Sequence, residues 1–316
     1  MTELPRIGAQ ISTAGGLSPV PQRAIDIGAE VVQIFNTNAR MWRTQQRSPE
    51  EIRALRDGLR LHDLPLFFHS IYLINLAADD VPLWRRSIDA LSEALVLAAV
   101  TGAQGVVTHI GSRHGSSVSE AVLRVDHSIR AAYALAEERL DSTSLAGTKT
   151  TDPERSAVDA RPRLLLETSS GSGTTLGGTL EELQALLEIL PACCGVCLDT
   201  AHLFAAGYPV HTEEGLEGTV RDLRARGLLS RVGLIHLNDS KTPFGSARDR
   251  HENLGDGLIG FEGLGMVVRH AAFRRTPFVL EVPGLENKGP DADNMARAKS
   301  MRRGSPAPPA TRVPPA

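Results

Sequence analysis

The stretch His236–Gly257, HLNDSKTPFGSARDRHENLGDG, packs two histidines and three aspartates beside Lys241, Arg248 and Arg250. A solvated polar loop could have this composition, so its meaning depends on what the rest of the chain sends to meet it. Six apolar, strand-like segments each end in a side chain able to ligate a metal or move a proton: His69, His109, Glu167, Asp199, His236 and Glu281. His202 follows Asp199 by three positions, and Asp249 and His251 stand two apart, a spacing that in extended chain puts both on one side. One such residue alone is ordinarily a hydrogen-bonded core histidine or a charge near water. Six at successive strand ends are a pattern. Five histidines and four carboxylates without a thiolate make a nitrogen/oxygen donor set suited to zinc, manganese or iron. Nine donors exceed what one ion needs, so two or three ions with a bridging carboxylate are expected. His62, His114, His127, His211 and His270 lie away from strand ends and read as surface or packing residues.

The elements that must position these donors alternate regularly. Strands are expected within 6–12, 31–36, 65–70, 105–111, 163–168, 195–200, 232–239 and 277–283, with amphipathic helices at 49–62, 82–101, 118–139, 179–190, 213–228 and 261–272. SPEE at 48–51 and TLEE at 179–182 carry helix-capping signals. Near-continuous apolar strands suit a parallel sheet covered by helices, and eight strand–helix units fit a (β/α)8 TIM barrel whose site sits at the carboxyl ends of its strands. An open doubly wound sheet is the alternative, but AQISTAGG after the first strand lacks the dinucleotide-binding glycine spacing. A single barrel domain over 1–302 is expected, with a flexible polar insertion at 141–162 and a disordered Pro/Ala tail at 303–316.

Bulk properties narrow the function classes. A net charge of −3 gives no global support for nucleic-acid binding, although bound divalent ions would reverse the sign locally. No apolar run reaches the roughly 18 residues needed to span a bilayer, and MTELPRIGAQ lacks a secretory pattern. Cys193, Cys194 and Cys197 are an odd cluster rather than a disulfide framework, which points to the cytoplasm; Cys197 reads as a small buried hydrophobe.

Read in order, GAQISTAGGL, IFNTNARMW, HSIYLINLA, HIGS, LETSSGSGTTLG, CLDTAHLFAAGY, HLNDSKTPFGSARDRHENLGDGLIG and LEVPG resemble the successive motifs of the endonuclease IV family of apurinic/apyrimidinic endonucleases. The resemblance runs from residue 6 to about 300 and is most specific in DTxH followed by HLNDSK and DRHxxxG. It implies a xylose-isomerase-like barrel with three zinc ions per chain, Mn2+ being able to substitute. His69 and His109 would hold one ion and share Glu167 with a second; Asp199, His236 and Glu281 would complete the second, and His202, Asp249 and His251 would hold the third. Glu167 and Glu281 are the carboxylates it makes catalytic as well as ligating. The implied reaction is hydrolysis, by metal-activated water, of the phosphodiester 5′ to an abasic site in duplex DNA. The products are a 3′-hydroxyl and a 5′-deoxyribose phosphate, and removal of 3′ blocking groups is implied at the same centre. Arg40, Tyr72 and Leu73 match positions that penetrate the duplex where the abasic sugar is flipped out. Lys241 and Arg250 are candidate phosphate contacts, and Trp42 reads as loop packing. A monomer acting on abasic or 3′-blocked DNA, without a membrane, is implied.

Three positions depart from the family pattern: Gln10 stands where a histidine is usual, Ile110 for proline and Ala201 for cysteine. None removes an expected ligand, but Gln10 changes a contact behind them. Two other readings compete, a metal-dependent sugar isomerase or epimerase on the same barrel and a non-catalytic abasic-site-binding protein. The first offers no use for the Asp249–His251 pair, and the second none for a full ligand set.

Overall fold

The computed structural model describes residues 4–42, 47–142 and 162–308. The strands are β1 (Ile7–Gln10), β2 (Val32–Phe35), β3 (Leu66–His69), β4 (Gly105–Thr108), β5 (Arg163–Glu167), β6 (Cys194–Asp199), β7 (Val232–His236), β8 (Asp239–Ser240), β9 (His251–Glu252) and β10 (Phe278–Leu280). All but β8 and β9 are parallel and close into one barrel, with β10 seated between β7 and β1. Each of these eight falls on a segment expected to be a strand, to within a residue. β8 and β9 pair antiparallel as a short ribbon, setting Ser240 opposite His251 and Asp239 opposite Glu252.

Around the barrel run α1 (Val20–Asp26), α2 (Pro49–Leu61), α3 (Val81–Thr101), α4 (Val118–Ser142), α5 (Leu180–Ile189), α6 (Thr200–Ala205), α7 (Glu213–Ala225), α8 (Gly260–Arg269) and α9 (Ala292–Arg303). The expected caps form: Ser48 accepts from the Glu51 N–H and Thr179 from the Glu182 N–H. Three helices, α1, α6 and α9, carry too little apolar periodicity to announce themselves. α1 has only seven residues and α6 six. α9 is held by its Asp291 cap and by single buried residues such as Met295 and Met301. The expected insertion at 141–162 and tail at 303–316 lie mostly outside the described residues. Asp141 and Ser142 close α4, and Arg303 closes α9. No helix of the described residues is long and apolar enough to cross a membrane.

The core has two parts. Residues such as Leu55, Leu91, Ile129, Leu183 and Leu264 fill the layer between helices and barrel. A second cluster, Val31, Phe67, Val107, Leu165, Cys197, Leu234 and Val279, is packed separately. Its members come from successive strands or the residue leading into one, so they fill the barrel lumen. β1 contributes Gly8 here, where a Cβ would meet the Val31 carbonyl oxygen at 1.7 Å. Burying each of the larger side chains stabilises the fold by about 1.5–3 kcal/mol. In a pleated strand, residues two apart face the same side. Two positions beyond this floor stand Gln10, Gln33, His69, His109, Glu167, Asp199, His236 and Glu281. The pleat that hides the floor therefore fixes the layer above it.

Candidate metal centre

Glu167 ends β5 at the centre of that layer, only 1% exposed. Its Oε2 lies 3.1 Å from His69 Nε2 and 3.4 Å from His109 Nδ1. Its Oε1 lies 3.0 Å from His236 Nδ1 and 3.5 Å from His202 Nδ1. His236 Nδ1 is also 3.3 Å from Glu281 Oε2 and 3.8 Å from Asp199 Oδ2. Beyond Asp199, His202 Nε2 is 3.2 Å from Asp249 Oδ2, and His251 Nε2 is 3.1 Å from Asp249 Oδ1. Three sets of donor atoms thus gather within 4.8 Å: His69, His109 and Glu167; Glu167, Asp199, His236 and Glu281; and Asp199, His202 and His251. Asp249 joins the last through its two short contacts. All nine residues expected from the sequence converge on one face. Asp199 adds something the sequence did not reveal: it belongs to two sets, as Glu167 does.

Local chain geometry orients the rings. The Ser70 carbonyl lies 2.7 Å from His69 Nδ1, so that nitrogen donates and Nε2 faces Glu167. The Thr168 carbonyl lies 2.8 Å from His202 Nδ1, which turns His202 Nε2 toward Asp249. Such partners fix the tautomer and aim of a ligating imidazole. Asp199 Oδ1 caps α6 by accepting from the His202 N–H at 2.8 Å, while Oδ2 accepts from Asn238 Nδ2 at 2.6 Å. Asn238 also accepts the Glu281 N–H through Oδ1 at 2.8 Å. One carboxylate thus starts the helix that carries its neighbour.

The electrostatics show how tightly these groups depend on one another. Burial alone would raise Glu167, but the neighbouring His109 and His236 hold it well below the usual carboxylate range. Burial lowers His109. It would lower His202 and His251 too, yet the Asp199 and Asp249 carboxylates push them up to about 10 and about 9. Protons on buried imidazoles here balance buried carboxylates, a task divalent cations perform without protons. His251 Nε2 is buried and, although near Asp249, is out of line for a hydrogen bond. A ring nitrogen aimed between two carboxylates without donating to either has the geometry of a ligand. The donor set fits divalent ions.

Tyr72 leans over this centre, with its ring 5.7 Å from that of His69 and 5.6 Å from that of His109, and 48% exposed. Burial and the carboxylates Glu281 and Glu167 push its phenol above its usual value, so it stays a donor at neutral pH. Arg40 is exposed on the neighbouring loop. The Tyr72 N–H donates to the Ala39 carbonyl at 2.9 Å, tying the two loops together. Leu73 is half-buried against the core, as is Trp42, over whose ring Arg86 sits at 5.1 Å. Lys241 lies 3.5 Å from Glu252.

A family model described as a xylose isomerase-like TIM barrel matches residues 21–303. A probable endonuclease 4 of Chloroflexus aurantiacus is 35% identical over 305 residues, 96% of this chain and 100% of that protein. Another, of Halothermothrix orenii, is 33% identical over 291 residues, 91% of this chain and 97% of that protein. The crystal structure of endonuclease IV from Thermus thermophilus aligns with a TM-score of 0.78 at 33% identity, over 95% of this chain and 100% of that one. The chain belongs to the endonuclease IV family. An L-ribulose 3-epimerase, 17% identical with a TM-score of 0.63 over 95% of this chain and 93% of that one, shares the fold alone.

In this member of the endonuclease IV family, the loop quoted at the outset is held by a residue whose role was not evident from the sequence. Asp239 is fully buried and accepts from five backbone N–H groups. Oδ1 takes those of Ser240, Ile259 and Gly260 at 2.9, 3.0 and 3.2 Å, and Oδ2 those of Gly255 and Gly257 at 2.9 and 3.1 Å. Gly257 permits this approach, since a Cβ there would sit 2.5 Å from Asp239 Oδ1. The clasp closes the base of the loop that presents Asp249 and His251. Asp239→Asn sets an amide NH2 against backbone donors and should cost about 3 kcal/mol, the order of a lost charge-assisted network. Hydrogen exchange should speed across 240–260 before it does in the barrel strands. Equal protection in variant and wild type would show that the clasp does not hold the loop.

Proposed function

We propose that this chain hydrolyses the phosphodiester bond 5′ to an abasic site in duplex DNA, leaving a 3′-hydroxyl and a 5′-deoxyribose phosphate, and also clears 3′ blocking groups. It does so as a cytoplasmic monomer, with residues 1–302 as one barrel domain. The observation carrying this reading is the joining of three donor sets through Glu167 and Asp199 at the mouth of the barrel. His69, His109 and Glu167 would hold one zinc ion, Glu167, Asp199, His236 and Glu281 a second, and His202, Asp249 and His251 a third, with Asp199 beside it. Mn2+ has the same ligand preferences and could replace zinc. Bound there, such ions supply Lewis-acid charge to phosphate oxygens and lower the pKa of water.

The rest falls to the chain itself. The apolar lumen floor beneath the ligands excludes water from below, so the centre opens only toward the mouth. Asp199, Glu167 and Glu281 concentrate negative charge that divalent ions offset, which removes the repulsion a phosphate would otherwise meet. Tyr72 offers a ring edge and a phenol donor above His69 and His109, and Arg40 stands beside it on the loop tied by the Ala39–Tyr72 bond. This pair, with Leu73, suits holding a duplex open where a base is missing. A sugar isomerase of this fold needs one or two ions; the set built on His202, Asp249 and His251 favours the nuclease reading.

The purified protein should carry close to three ions per chain, matching its three donor sets, and should nick a duplex containing one abasic analogue on the 5′ side of the lesion. One ion per chain with sugar isomerisation and no nicking would overturn the reading. Glu167→Gln removes the shared negative charge and should release at least one ion, with incision falling roughly a thousandfold. Binding of abasic duplex, measured by gel shift, should change far less. Arg40→Ala and Tyr72→Ala should reverse that profile, weakening capture of abasic duplex at unchanged metal content. Loss of metal in step with loss of binding would mark them as framework residues.

A further inference from the structure

Two of the eight strand ends in the ligand layer carry amides rather than ligand side chains. Gln10 ends β1 and Gln33 lies in β2, two positions beyond Gly8 and Val31, so both are aimed into the layer. Gln33 is fully buried. Its Nε2 donates to Gln10 Oε1 at 2.8 Å and to Glu281 Oε1 at 2.7 Å, while its Oε1 accepts from His236 Nε2 at 3.0 Å. That uses both N–H donors and the carbonyl. Reversing the amide would set its oxygen against two acceptors and its NH2 against a donor.

This sense of the amide has two chemical effects. His236 keeps a proton on Nε2, and its Nδ1 is turned to the carboxylate side, hydrogen-bonded to Glu167 Oε1 at 3.0 Å and 3.3 Å from Glu281 Oε2, where an ion would sit. Glu281 has its Oε1 engaged and its Oε2 available beside that same nitrogen. The Glu281 carboxylate, which can only accept, sets the direction of the Gln33 amide, and Gln10 Oε1 takes the second N–H. Its own Nε2 is buried without a partner among the described residues, on the wall of a cavity of about 850 Å3 shared with Glu281, Tyr72 and Asn38.

We infer that Gln33, held in place by Gln10, is a positioning residue for the donor set of Glu167, Asp199, His236 and Glu281, selecting the His236 tautomer and the Glu281 oxygen offered to an ion. This rests on the metal reading above. A carboxylate at 33 would still accept from His236 but would repel Glu281, and an aliphatic side chain would hold neither.

The test is zinc titration in free-zinc buffers, with bound metal counted by mass spectrometry and melting of the metal-free protein as the fold control. Gln33→Leu should raise the free zinc needed for one ion by about 10–100-fold, the range for loss of a partner behind a ligand. The remaining ions should titrate as in wild type, and a single cooperative metal-free melt, lowered by the lost hydrogen bonds, should show that the variant folds. Gln10→Ala should weaken the same ion by at least about threefold, the worth of one hydrogen bond. If Gln33→Leu does not fold, Gln10→Ala alone decides. Wild-type titration in the variants, or equal weakening of every ion, would overturn the inference. A wild-type chain that takes up no zinc instead fails the reading of the site itself.

Discussion

A parallel strand turns alternate side chains to one side, and closing eight of them into a ring leaves that side nowhere to go but inward. Everything chemical in this protein depends on that constraint. One inward layer, from Val31 round to Val279, is apolar and fills the lumen. The next, two residues on, brings Glu167, Asp199, His69 and His236 into contact although they are far apart in sequence. The floor also sets the strength of what happens above it. Carboxylates and imidazoles resting on a dry hydrocarbon layer interact through a medium less polar than water, so each perturbs the others' protonation strongly.

The position of the charge explains the unhelpful overall balance. The sequence carries 37 acidic against 34 basic side chains, which gives no hint of a nucleic-acid partner. Four of the acidic groups are Glu167, Asp199, Asp249 and Glu281. Once cations offset these, the basic side chains outnumber the acidic ones that remain. Formal charge counted along a chain says little where four of its acids are gathered among imidazoles in one cluster able to hold metal.

The strand ends were legible because their spacing is local: each follows an apolar run by a fixed step. The (β/α)8 order was legible for the same reason, and the nine donors followed from it. Gln33 was not picked out, since a single amide in VVQIFN looks like a polar interruption in a strand and its partners lie on β1, β7 and the end of β10. Applying the two-residue step to every strand, rather than only to those ending in ligand types, would have found it. Asp239 read as one more acid in a polar loop, because its partners are backbone N–H groups that no side-chain pattern displays. The double duty of Asp199, capping α6 with one oxygen and facing His236 and His251 with the other, likewise exists only once the chain has turned.

The hold on Asp239 is made entirely by main-chain groups of Ser240, Gly255, Gly257, Ile259 and Gly260. Every residue type except proline offers an N–H, so apart from Gly255, with its positive φ, and Gly257, where the close approach of Asp239 leaves no room for a side chain, the clasp is made by backbone alone. The tip from Thr242 to Arg248 has a second anchor: the Gly245 N–H donates to the Phe204 carbonyl at 3.1 Å, the Ala247 N–H to the Ala205 carbonyl at 2.9 Å, and the Phe244 ring lies 5.5 Å from that of Phe204. The loop is thus moored twice, its base by Asp239 and its tip by α6, so the short helix that carries His202 also steadies the strap that carries Asp249 and His251.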